Sequence, residues 1–402
     1  MLRLSAQYGT PCPVMSYDYD VIICGGGVAG LWLGNTLMRA GYNVILIEKD
    51  RLGAGQTLAS QGMIHGGQKY VLGGLLTPHA AAIARMPERW QASLDGSGEI
   101  DLTKVELLSP SQVMWGAGSF SAAAVFAAAK LANAKTAQLG PEQIPAVLER
   151  SGASKGPVYS LPEAVLDVRS LLAALAGNLA GRTLHGDITD LRPDGTIAVS
   201  GHFMRGQRVI FVAGAGNEQA LALLGEKQAQ TQRRPLRQVM VRPFPAALFG
   251  HGIVNSPKPR ITVTSHRYRS DSDYVWYLGG AVAETGASMD EAAALRFAKS
   301  ELQAIFPKLD WGTKEWASWL SDRAEPIDQY GKLPLDPAVR EYGRVLVAWP
   351  VKLTFAPALA DRVHGIFARD AVQPVATSNP PPLAPATIGA YPWDAAAWQT
   401  IA

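Results

Sequence analysis

The sequence predicts an α/β fold, in which a doubly wound domain is assembled from discontinuous segments and combined with a second, α+β domain. Strand and helix patterns alternate in three separated blocks, at about residues 17–70, 165–225 and 342–367. A glycine-rich turn follows the first strand, as it does where a parallel strand enters a crossover helix. Between the last two blocks, residues 236–319 alternate apolar and polar side chains as antiparallel strands do.

The first block contains one complete strand–helix–strand unit, YDVIICGGGVAGLWLGNTLMRAGYNVILIEKD, over residues 19–50. Gly25, Gly27 and Gly30 follow the first apolar strand with the spacing G-x-G-x-x-G. In that pattern the first glycine permits a tight turn, the second lets a pyrophosphate approach the backbone, and the third lets the helix pack on the strand. Glu48 ends the second strand 18 residues after Gly30, close to the position of an acid that binds a ribose hydroxyl.

This unit predicts a Rossmann-like domain that binds a dinucleotide, because the glycines, the helix N-terminus and the acid act on one extended ligand. Glu48 disfavours a 2′-phosphate and therefore NADP, whereas these residues leave FAD and NAD both open. The nucleotide contacts expected in this unit are Gly25, Gly27, Val28, Ala29, Gly30, Glu48 and Lys49.

The next segment, KDRLGAGQTLASQGMIHGGQKYVLGG, is crowded with glycine, glutamine and small hydroxyl side chains. Here the sequence resembles the D-amino-acid oxidase / glycerol-3-phosphate dehydrogenase superfamily of FAD-dependent oxidoreductases. ASQGMIHGGQKY looks most like the branch of glycerol-3-phosphate dehydrogenases and L-2-hydroxyglutarate oxidases. The resemblance continues in family order to about residue 367, through VLDVRSLLAALAG, RVIFVAGAGNEQAL, SDRAEPIDQYGKLP and GRVLVAWPVKLTFAPALADRV. It implies FAD as the cofactor and a small molecule as the substrate.

The resemblance also implies which further residues lie against FAD. In the family they come from the glycine-rich segment after the second strand, a β-meander, a strand that ends in Ala-Gly-Ala, and the loop before the last helix. The residues carried over are Gln56, Thr57, Ser60, Gln61, Gly62, Met63, Ile188, Ala213, Gly214, Ala215, Val351, Lys352, Leu353 and Thr354.

Three side chains are candidates for the chemistry, each with a structural alternative. His65 would take a proton from the substrate as hydride leaves for the flavin, since imidazole is the usual general base of proteins; alternatively it only shapes the pocket. Arg323 offers a planar fork to a substrate carboxylate or phosphate, unless it pairs with Asp322 or Glu325. Lys352 would add a positive charge at the N-terminus of the last helix, or be an exposed loop lysine.

The resemblance implies an FAD-dependent oxidoreductase that oxidises a small polar substrate by hydride transfer to flavin, with O2 or another acceptor reoxidising it. The substrate would be an amino acid, a secondary amine, a 2-hydroxy acid or a polyol phosphate. One departure keeps two alternatives open: Trp349 and Lys352 stand where the family has a glycine-rich loop, and we expect Trp349 beside the flavin. The alternatives are a monooxygenase or modification enzyme with a larger substrate, and a flavin-bearing subunit or maturation partner without its own turnover.

The expected domain boundaries follow the three blocks. A mostly helical segment and the strand-rich segment are expected to form the substrate domain, and the proline- and alanine-rich end an extended tail that docks the tryptophans of PWDAAAW. The segments are 17–85, 150–235 and 335–370 for the FAD-binding domain, 86–149 and 236–334 for the substrate domain, and 371–402 for the tail.

Composition argues against several other classes. The net charge of +3 is too small to indicate nucleic acid binding. Cys12 and Cys24 are the only cysteines, too few for a disulfide framework or a metal cluster, and they favour a reducing, cytoplasmic location. No zinc-ligand spacing is present, so no metal is expected. No apolar run reaches the length of a transmembrane helix, although peripheral membrane contact stays open.

Overall fold

The computed structural model describes residues 18–65, 85–117, 136–154, 156–254, 259–268, 270–327 and 336–401. The strands are β1 (Tyr19–Cys24), β2 (Val44–Glu48), β3 (Leu107–Ser109), β4 (Gln112–Gly116), β5 (Ala137–Gln138), β6 (Val158–Leu161), β7 (Val165–Leu166), β8 (Thr183–His185), β9 (Ile188–Leu191), β10 (Thr196–Val199), β11 (His202–Phe211), β12 (Thr231–Phe244), β13 (Gly250–Ile253), β14 (Ile261–Tyr268), β15 (Ser270–Gly279), β16 (Glu315–Pro326), β17 (Ala338–Tyr342), β18 (Val345–Trp349) and β19 (Gln399–Thr400). The α-helices are α1 (Val28–Arg39), α2 (Met86–Leu94), α3 (Ala146–Arg150), α4 (Val168–Asn178), α5 (Asn217–Leu223), α6 (Ala281–Gly286), α7 (Glu291–Ile305) and α8 (Ala356–Arg369).

The first sheet confirms the predicted doubly wound α/β architecture. Its strand order is β17-β18-β11-β1-β2-β8, with β9 and β10 extending from β11. β1 pairs in parallel with β2 on one side and with β11 on the other, so the chain winds in both directions from β1. The carboxyl ends of these strands meet at one edge, which is where open α/β sheets bind their ligands.

Both faces of the first sheet are buried. Along β1, Val21 and Ile23 contact the core that contains α1, α4 and α8, whereas Ile22 and Cys24 contact a second core that contains α5. This two-sided burial explains why β1 and β2 appear in the sequence as continuous apolar runs.

The second sheet has the strand order β19-β16-β12-β15-β14-β13-β4-β6-β5. Its neighbours are antiparallel except for β13 and β4, which are parallel. Successive side chains along each strand of this sheet point to opposite faces. Val239 and Val241 of β12 pack with α7, whereas Met240, Tyr277 and Ala317 belong to the core shared with the first sheet. One face of the second sheet therefore lies toward the ligand edge of the first.

Residues 383–401, here called the C-terminal strap, connect the outer strands of the two sheets. The N–H of His185 on β8 donates to the carbonyl oxygen of Ala384 at 2.7 Å. At the other end, β19 pairs with β16. Between these points Trp393 is 3% exposed and its ring centroid lies 4.2 Å from that of His266 on β14. Both tryptophans of PWDAAAW contact the second sheet, since Trp398 lies over Arg242, 3.9 Å from its Cζ.

The second sheet also takes strands from segments that the sequence assigned elsewhere. β6 and the first residues of β12 fall within the segment predicted for the FAD-binding domain but pair in the second sheet. In the predicted helical segment 86–149, strands β3 to β5 accompany α2 and α3. A short apolar run such as QVMWG of β4 fits a buried strand as well as a helix, so periodicity alone could not distinguish them. Most of the alanine-rich run SFSAAAVFAAAKLANAKTAQLG, residues 119–140, lies outside the described residues. Across the described ranges, no helix is long and apolar enough to cross a membrane.

Candidate active site

The turn after β1 has the close contacts that its glycine spacing predicts. Gly25 has a φ of +118°, which L side chains rarely adopt, and a Cβ at Gly30 would collide with the carbonyl oxygen of Gly25. The absence of a side chain at Gly30 therefore lets α1 begin directly on the turn. Gly27 is the N-cap of α1 and provides no side-chain cap, while the N–H of Val28 donates to Oγ1 of Thr57 at 3.2 Å. A helix start of this kind suits a pyrophosphate.

Glu48 lies at the carboxyl end of β2 with its carboxylate against the glycine turn. Oε2 accepts a hydrogen bond from the N–H of Gly26 at 2.6 Å, and Oε1 accepts one from the N–H of Asp50 at 2.9 Å. Because a carboxylate has about four lone-pair sites, both oxygens can also accept from ribose hydroxyls. Lys49, the next residue, is exposed.

Gln56 connects the loop after β11 to the second sheet. This loop, Ala213–Ala215, lies at the same edge as the glycine turn. A Cβ atom added to Gly25 would lie 2.8 Å from the Cα of Ala213. A Cβ at Gly214 would lie 3.1 Å from Oε1 of Gln56, and the same oxygen accepts from the N–H of Ala324 at 3.3 Å. Residues from three predicted cofactor segments thus lie together at the ligand edge.

Other predicted cofactor residues help to hold this edge in place. Nε2 of Gln61 donates to the carbonyl oxygen of Tyr277 on β15 at 3.0 Å, so this side chain fixes its segment to the second sheet. Oγ of Ser60 accepts from the N–H of Gly62 at 3.4 Å. Ile188 begins β9, where its carbonyl oxygen accepts from Gln219 at 3.1 Å. The side-chain NH2 group of Gln61 is therefore already engaged by the second sheet.

His65 lies beside the 3₁₀ turn that leads into α8. Its backbone N–H donates to Oγ1 of Thr354 at 3.2 Å, and the carbonyl oxygen of Thr354 accepts from Nε1 of Trp90 at 3.0 Å. The candidate base and the loop before the last helix, which are far apart in the sequence, are therefore in contact. The positive end of the α8 dipole lies there and favours negative charge.

The ring of His65 pairs with Glu163, a residue that the sequence analysis missed. Nδ1 of His65 lies 3.1 Å from Oε2 of Glu163, and the side chains are 43% and 8% exposed. The ring of His251 on β13 lies 5.8 Å from that of His65, and its Nδ1 is 2.9 Å from Oγ1 of Thr262. The sequence signal for Glu163 was that it is the single acidic residue in the apolar segment LPEAVL.

The loop before α8 contains an unusual turn. The N–H of Lys352 donates to the carbonyl oxygen of Pro350 at 2.8 Å, and Val351 between them has a φ of +69°. This is a γ-turn in its strained form, and a β-branched residue at positive φ adds to the strain. Leu353 begins the following 3₁₀ turn, and Nζ of Lys352 lies 5.4 Å from the ring centroid of Phe355. Such strain is typical of ligand-contacting loops.

Trp349 does not lie where the sequence analysis placed it. Val345, Val347 and Trp349 alternate along β18 toward the core that contains α5, and the Trp349 ring is fully buried there. Alternation in the strand decides this, because the neighbouring Leu346 and Ala348 face the opposite core. The expectation of a tryptophan beside the flavin is therefore wrong, and this departure from the family falls in the core.

Arg323 lies on β16, on the face directed toward the first sheet. Both acids named as alternative partners pair with other arginines: Asp322 with Arg233 at 3.5 Å and Glu325 with Arg234 at 3.1 Å. Within the described ranges Arg323 itself forms no ion pair, and its Nε donates to the carbonyl oxygen of Arg234 at 3.3 Å. Burial, and then the charge of Arg234, lower the pKa of Arg323, so its charge is incompletely compensated.

The structure does not place Arg323 beside His65. His65 contacts β13, and the strands β14, β15 and β12 lie between β13 and β16. β13 and β16 are therefore four strand spacings apart, a distance of about 19 Å. The rest of the glycine-rich segment after His65 lies outside the described residues. In the described part of the chain, no group of His, Cys, Asp or Glu side chains could hold a metal ion, so no metal ligand is assigned.

These positions together fit an FAD molecule. The glycine turn and Glu48 suit a nucleotide, the Ala213–Ala215 loop lies beside the turn, and Thr354 marks the point where α8 and the second sheet approach the same edge. An extended dinucleotide along this edge would contact all four.

Comparison with known proteins agrees with this geometry. The DAO family model, described as FAD dependent oxidoreductase, matches residues 20–363. The chain is 43% identical over 385 residues to the probable FAD-dependent oxidoreductase PA4991 of Pseudomonas aeruginosa, covering 94% of this chain and 98% of that protein. The crystal structure of PA4991 matches with a TM-score of 0.81 at 39% identity, over 94% of this chain and 98% of that one.

Two further proteins are similar to the chain, one over a short segment and the other in its fold. Glycerol-3-phosphate dehydrogenase of Pseudomonas tolaasii is 38% identical over 61 residues, which are 15% of this chain and 12% of that protein. Glycine oxidase of Geobacillus kaustophilus shares the fold with a TM-score of 0.63 at 18% identity, covering 88% of this chain and 95% of that one. The first likeness is confined to a short segment, whereas the second extends over the fold. The chain belongs to the DAO family of FAD-dependent oxidoreductases.

Proposed function

We propose that this FAD-dependent oxidoreductase removes a hydride from a carbon next to an amine or hydroxyl group of a small polar substrate. The substrate classes are an amino acid, a secondary amine, a 2-hydroxy acid and a polyol phosphate. The observation that carries the proposal is the His65 ring, which is partly exposed beside the N-terminus of α8 and held through Nδ1 by Glu163. FAD, when bound, supplies the acceptor for the hydride and its two electrons.

The cofactor would be held by the residues at the ligand edge. We assign the ribose hydroxyls to Glu48 and the pyrophosphate to the start of α1 and the Ala213–Ala215 loop. The segment from Val351 to Thr354 is assigned to the flavin, with Lys352 adding positive charge where the α8 dipole is already positive. The support is positional, since all four groups lie at one edge of the first sheet.

His65 would act as the general base. With Nδ1 engaged by Glu163, Nε2 is the nitrogen that takes the proton from the substrate N–H or O–H. The substrate thereby loses one hydride and one proton, and a double bond forms between carbon and the nitrogen or oxygen. The partly exposed ring suits contact with a substrate that enters from solvent.

Arg323 would bind an anionic end of the substrate. Its guanidinium is half-buried, and Asp322 and Glu325, the two acids next to it in the sequence, each pair with another arginine. The separation of about 19 Å between the strands near Arg323 and His65 favours an extended anion over a glycine-sized one, if one molecule contacts both. With Trp349 buried in the core, Lys352 is the part of the departure from the family that still supports a larger substrate. A cytoplasmic location is part of the proposal, on the support of the two cysteines, of which Cys24 is buried and unpaired.

Anaerobic mixing tests the proposal. Purified holoprotein is mixed with amino acids, N-methyl amino acids, 2-hydroxy acids and glycerol 3-phosphate while the flavin absorbance is followed, with free FAD as the control. We expect one class to bleach the flavin with a rate that saturates with substrate concentration. A protein that binds FAD but is reduced by none of them would behave as a flavin-bearing subunit, and the proposal would be wrong.

A further inference from the structure

A short antiparallel pairing brings His65 and Glu163 together. Met63 forms a bridge with Val165, and the N–H of Ile64 donates to the carbonyl oxygen of Ala164 at 2.9 Å. Continuing this register by one residue places His65 directly opposite Glu163. Side chains of directly opposed residues lie on the same side of such a pair, so the backbone itself aligns the ring with the carboxylate.

The backbone of Glu163 is fixed from both sides. Its N–H donates to the carbonyl oxygen of Leu161 at 2.7 Å, which closes a tight turn around Pro162 at the end of β6. Its own carbonyl oxygen accepts from Nε2 of Gln112 on β4 at 3.3 Å. The proline restricts this turn further, because its ring fixes φ. The carboxylate is therefore held at a defined position rather than on a mobile loop.

We propose that Glu163 is a positioning residue that selects the Nδ1–H tautomer of His65 and supports the ring when it becomes positively charged. This inference rests on the proposed function of His65. A neutral imidazole has one N–H, and the nitrogen that carries it is determined by the partner of the other ring position. An ionised carboxylate only accepts, so Nδ1 donates to Glu163 and Nε2 keeps its lone pair.

The proton balance of the step follows from this arrangement. The bond between the substrate nitrogen or oxygen and its hydrogen breaks, and a new N–H bond forms at Nε2 of His65. Nδ1 keeps its hydrogen and Glu163 stays ionised, so the carboxylate faces a cationic ring. Two titratable groups face the ring within the described part of the chain: Glu163 from the connection after β6 and His251 from β13. Lys352 lies two residues before Thr354, which binds the His65 backbone.

The first test is spectroscopic and needs no substrate. In protein labelled with ¹⁵N-histidine, long-range proton–nitrogen correlation spectra distinguish the two tautomers, and a His65→Gln variant assigns the signal. We expect His65 to be the Nδ1–H tautomer in the wild type and to shift toward the Nε2–H tautomer in Glu163→Gln. An Nε2–H tautomer in the wild type, or an unchanged signal in the variant, would overturn the inference.

The second test is kinetic. With the substrate class that reduces the flavin in the anaerobic panel, Glu163→Gln should lower the limiting reduction rate at least about tenfold, because the wrong tautomer cannot take the proton. FAD content should stay unchanged. Glu163→Asp keeps the charge and should recover part of the rate, whereas Glu149→Gln, an exposed glutamate of α3, should match the wild type. A normal rate in Glu163→Gln would refute the role.

The two proposals fail in different ways. If His65→Ala reduces its flavin as fast as the wild type, His65 is not the base, and the spectra still report whether Glu163 sets the tautomer. If His65→Ala is slow but Glu163→Gln is not, the base assignment stands and the positioning role is wrong. Should Glu163→Gln fail to fold, Glu163→Ala replaces it in the same spectra and rate measurements, and a wild-type tautomer and rate in Glu163→Ala would overturn the inference.

Discussion

At the scale of single residues, Glu48 has two tasks, since its carboxylate bonds the glycine turn and lies where the ribose is expected. Glu48→Ala should weaken FAD binding roughly ten- to a hundred-fold, because a charge-assisted hydrogen bond contributes about 1.5–3 kcal/mol. Glu48→Gln, which keeps an acceptor oxygen for Gly26, should lose less. Titration of the apoproteins with FAD, followed by flavin fluorescence, measures both. Equal affinities of Glu48→Ala and the wild type would remove Glu48 from the site.

His266 links stability to pH. It is 3% exposed, and in the described structure its Nδ1 has no hydrogen-bond partner. Burial lowers the pKa of His266 from 6.5 to about 4, against the opposing charge of Asp167. As the pH falls below the unfolded-state pKa, the unfolded chain binds the proton first. The contribution of His266 to stability is therefore complete above about pH 6.5 and is lost progressively toward pH 4.

The corresponding experiment compares the wild type with His266→Phe, which keeps a ring against Trp393. Between about pH 7.5 and about pH 5, the free energy of unfolding should fall by about 2 kcal/mol more in the wild type than in the variant. Urea unfolding at both pH values measures the difference, and the comparison cancels the contributions of the other histidines. Identical pH dependence in the two proteins would show that His266 is not buried in neutral form.

At the scale of elements, two aspartates cap helices in the same way but differ in one further contact. Asp167 accepts from the N–H of Ser170 at the start of α4, and Asp290 accepts from the N–H of Ala293 at the start of α7, both at 2.7 Å. Asp167 also accepts from the Tyr391 hydroxyl of the C-terminal strap at 2.6 Å. Losing a cap costs about 1 kcal/mol. Leaving the hydroxyl hydrogen of Tyr391 without its acceptor costs about 1–3 kcal/mol more, while the hydroxyl oxygen still accepts from the N–H of Arg169 at 2.9 Å.

Asp167→Ala should therefore destabilise the protein more than Asp290→Ala does. The free energies of unfolding of the two variants, measured by denaturant titration, provide a matched comparison in which the cap is common to both. If the two losses are equal, the bond between Asp167 and Tyr391 does not stabilise the fold.

The elements that the sequence predicted best are those defined by local spacing. The glycine turn, α1 and Glu48 lie within one unit of about thirty residues, and each residue type there has a steric or electrostatic requirement. The pairing of His65 with Glu163 joins segments about one hundred residues apart, and nothing in either segment indicates this register. Trp349 was misplaced for a related reason, because the direction of a strand side chain depends on which residues of the strand pair.

At the scale of the whole molecule, the C-terminal strap bonds to β8 of the first sheet through its backbone and packs against the second sheet through aromatic contacts. The Trp393 ring lies against Tyr391, His266 and Tyr277, with centroid distances between 4.2 and 5.2 Å. Trp393→Ala should cost about 3–5 kcal/mol, as expected for a large ring removed from a core. Trp398→Ala should cost less, since Trp398 is half-buried and lies over Arg242, an interaction of about 0.5–2 kcal/mol. Unfolding midpoints in urea test this order, and equal losses would contradict it.

The proposed function depends most on His65 as the group that takes the substrate proton. Rapid anaerobic mixing of His65→Ala and wild-type holoprotein with a reducing substrate, over a range of pH, tests this directly. A general base contributes about 10²- to 10⁴-fold, so the limiting rate of flavin reduction should fall by that factor. Reduction of His65→Ala at the wild-type rate at every pH would contradict the account and leave His65 as part of the pocket wall.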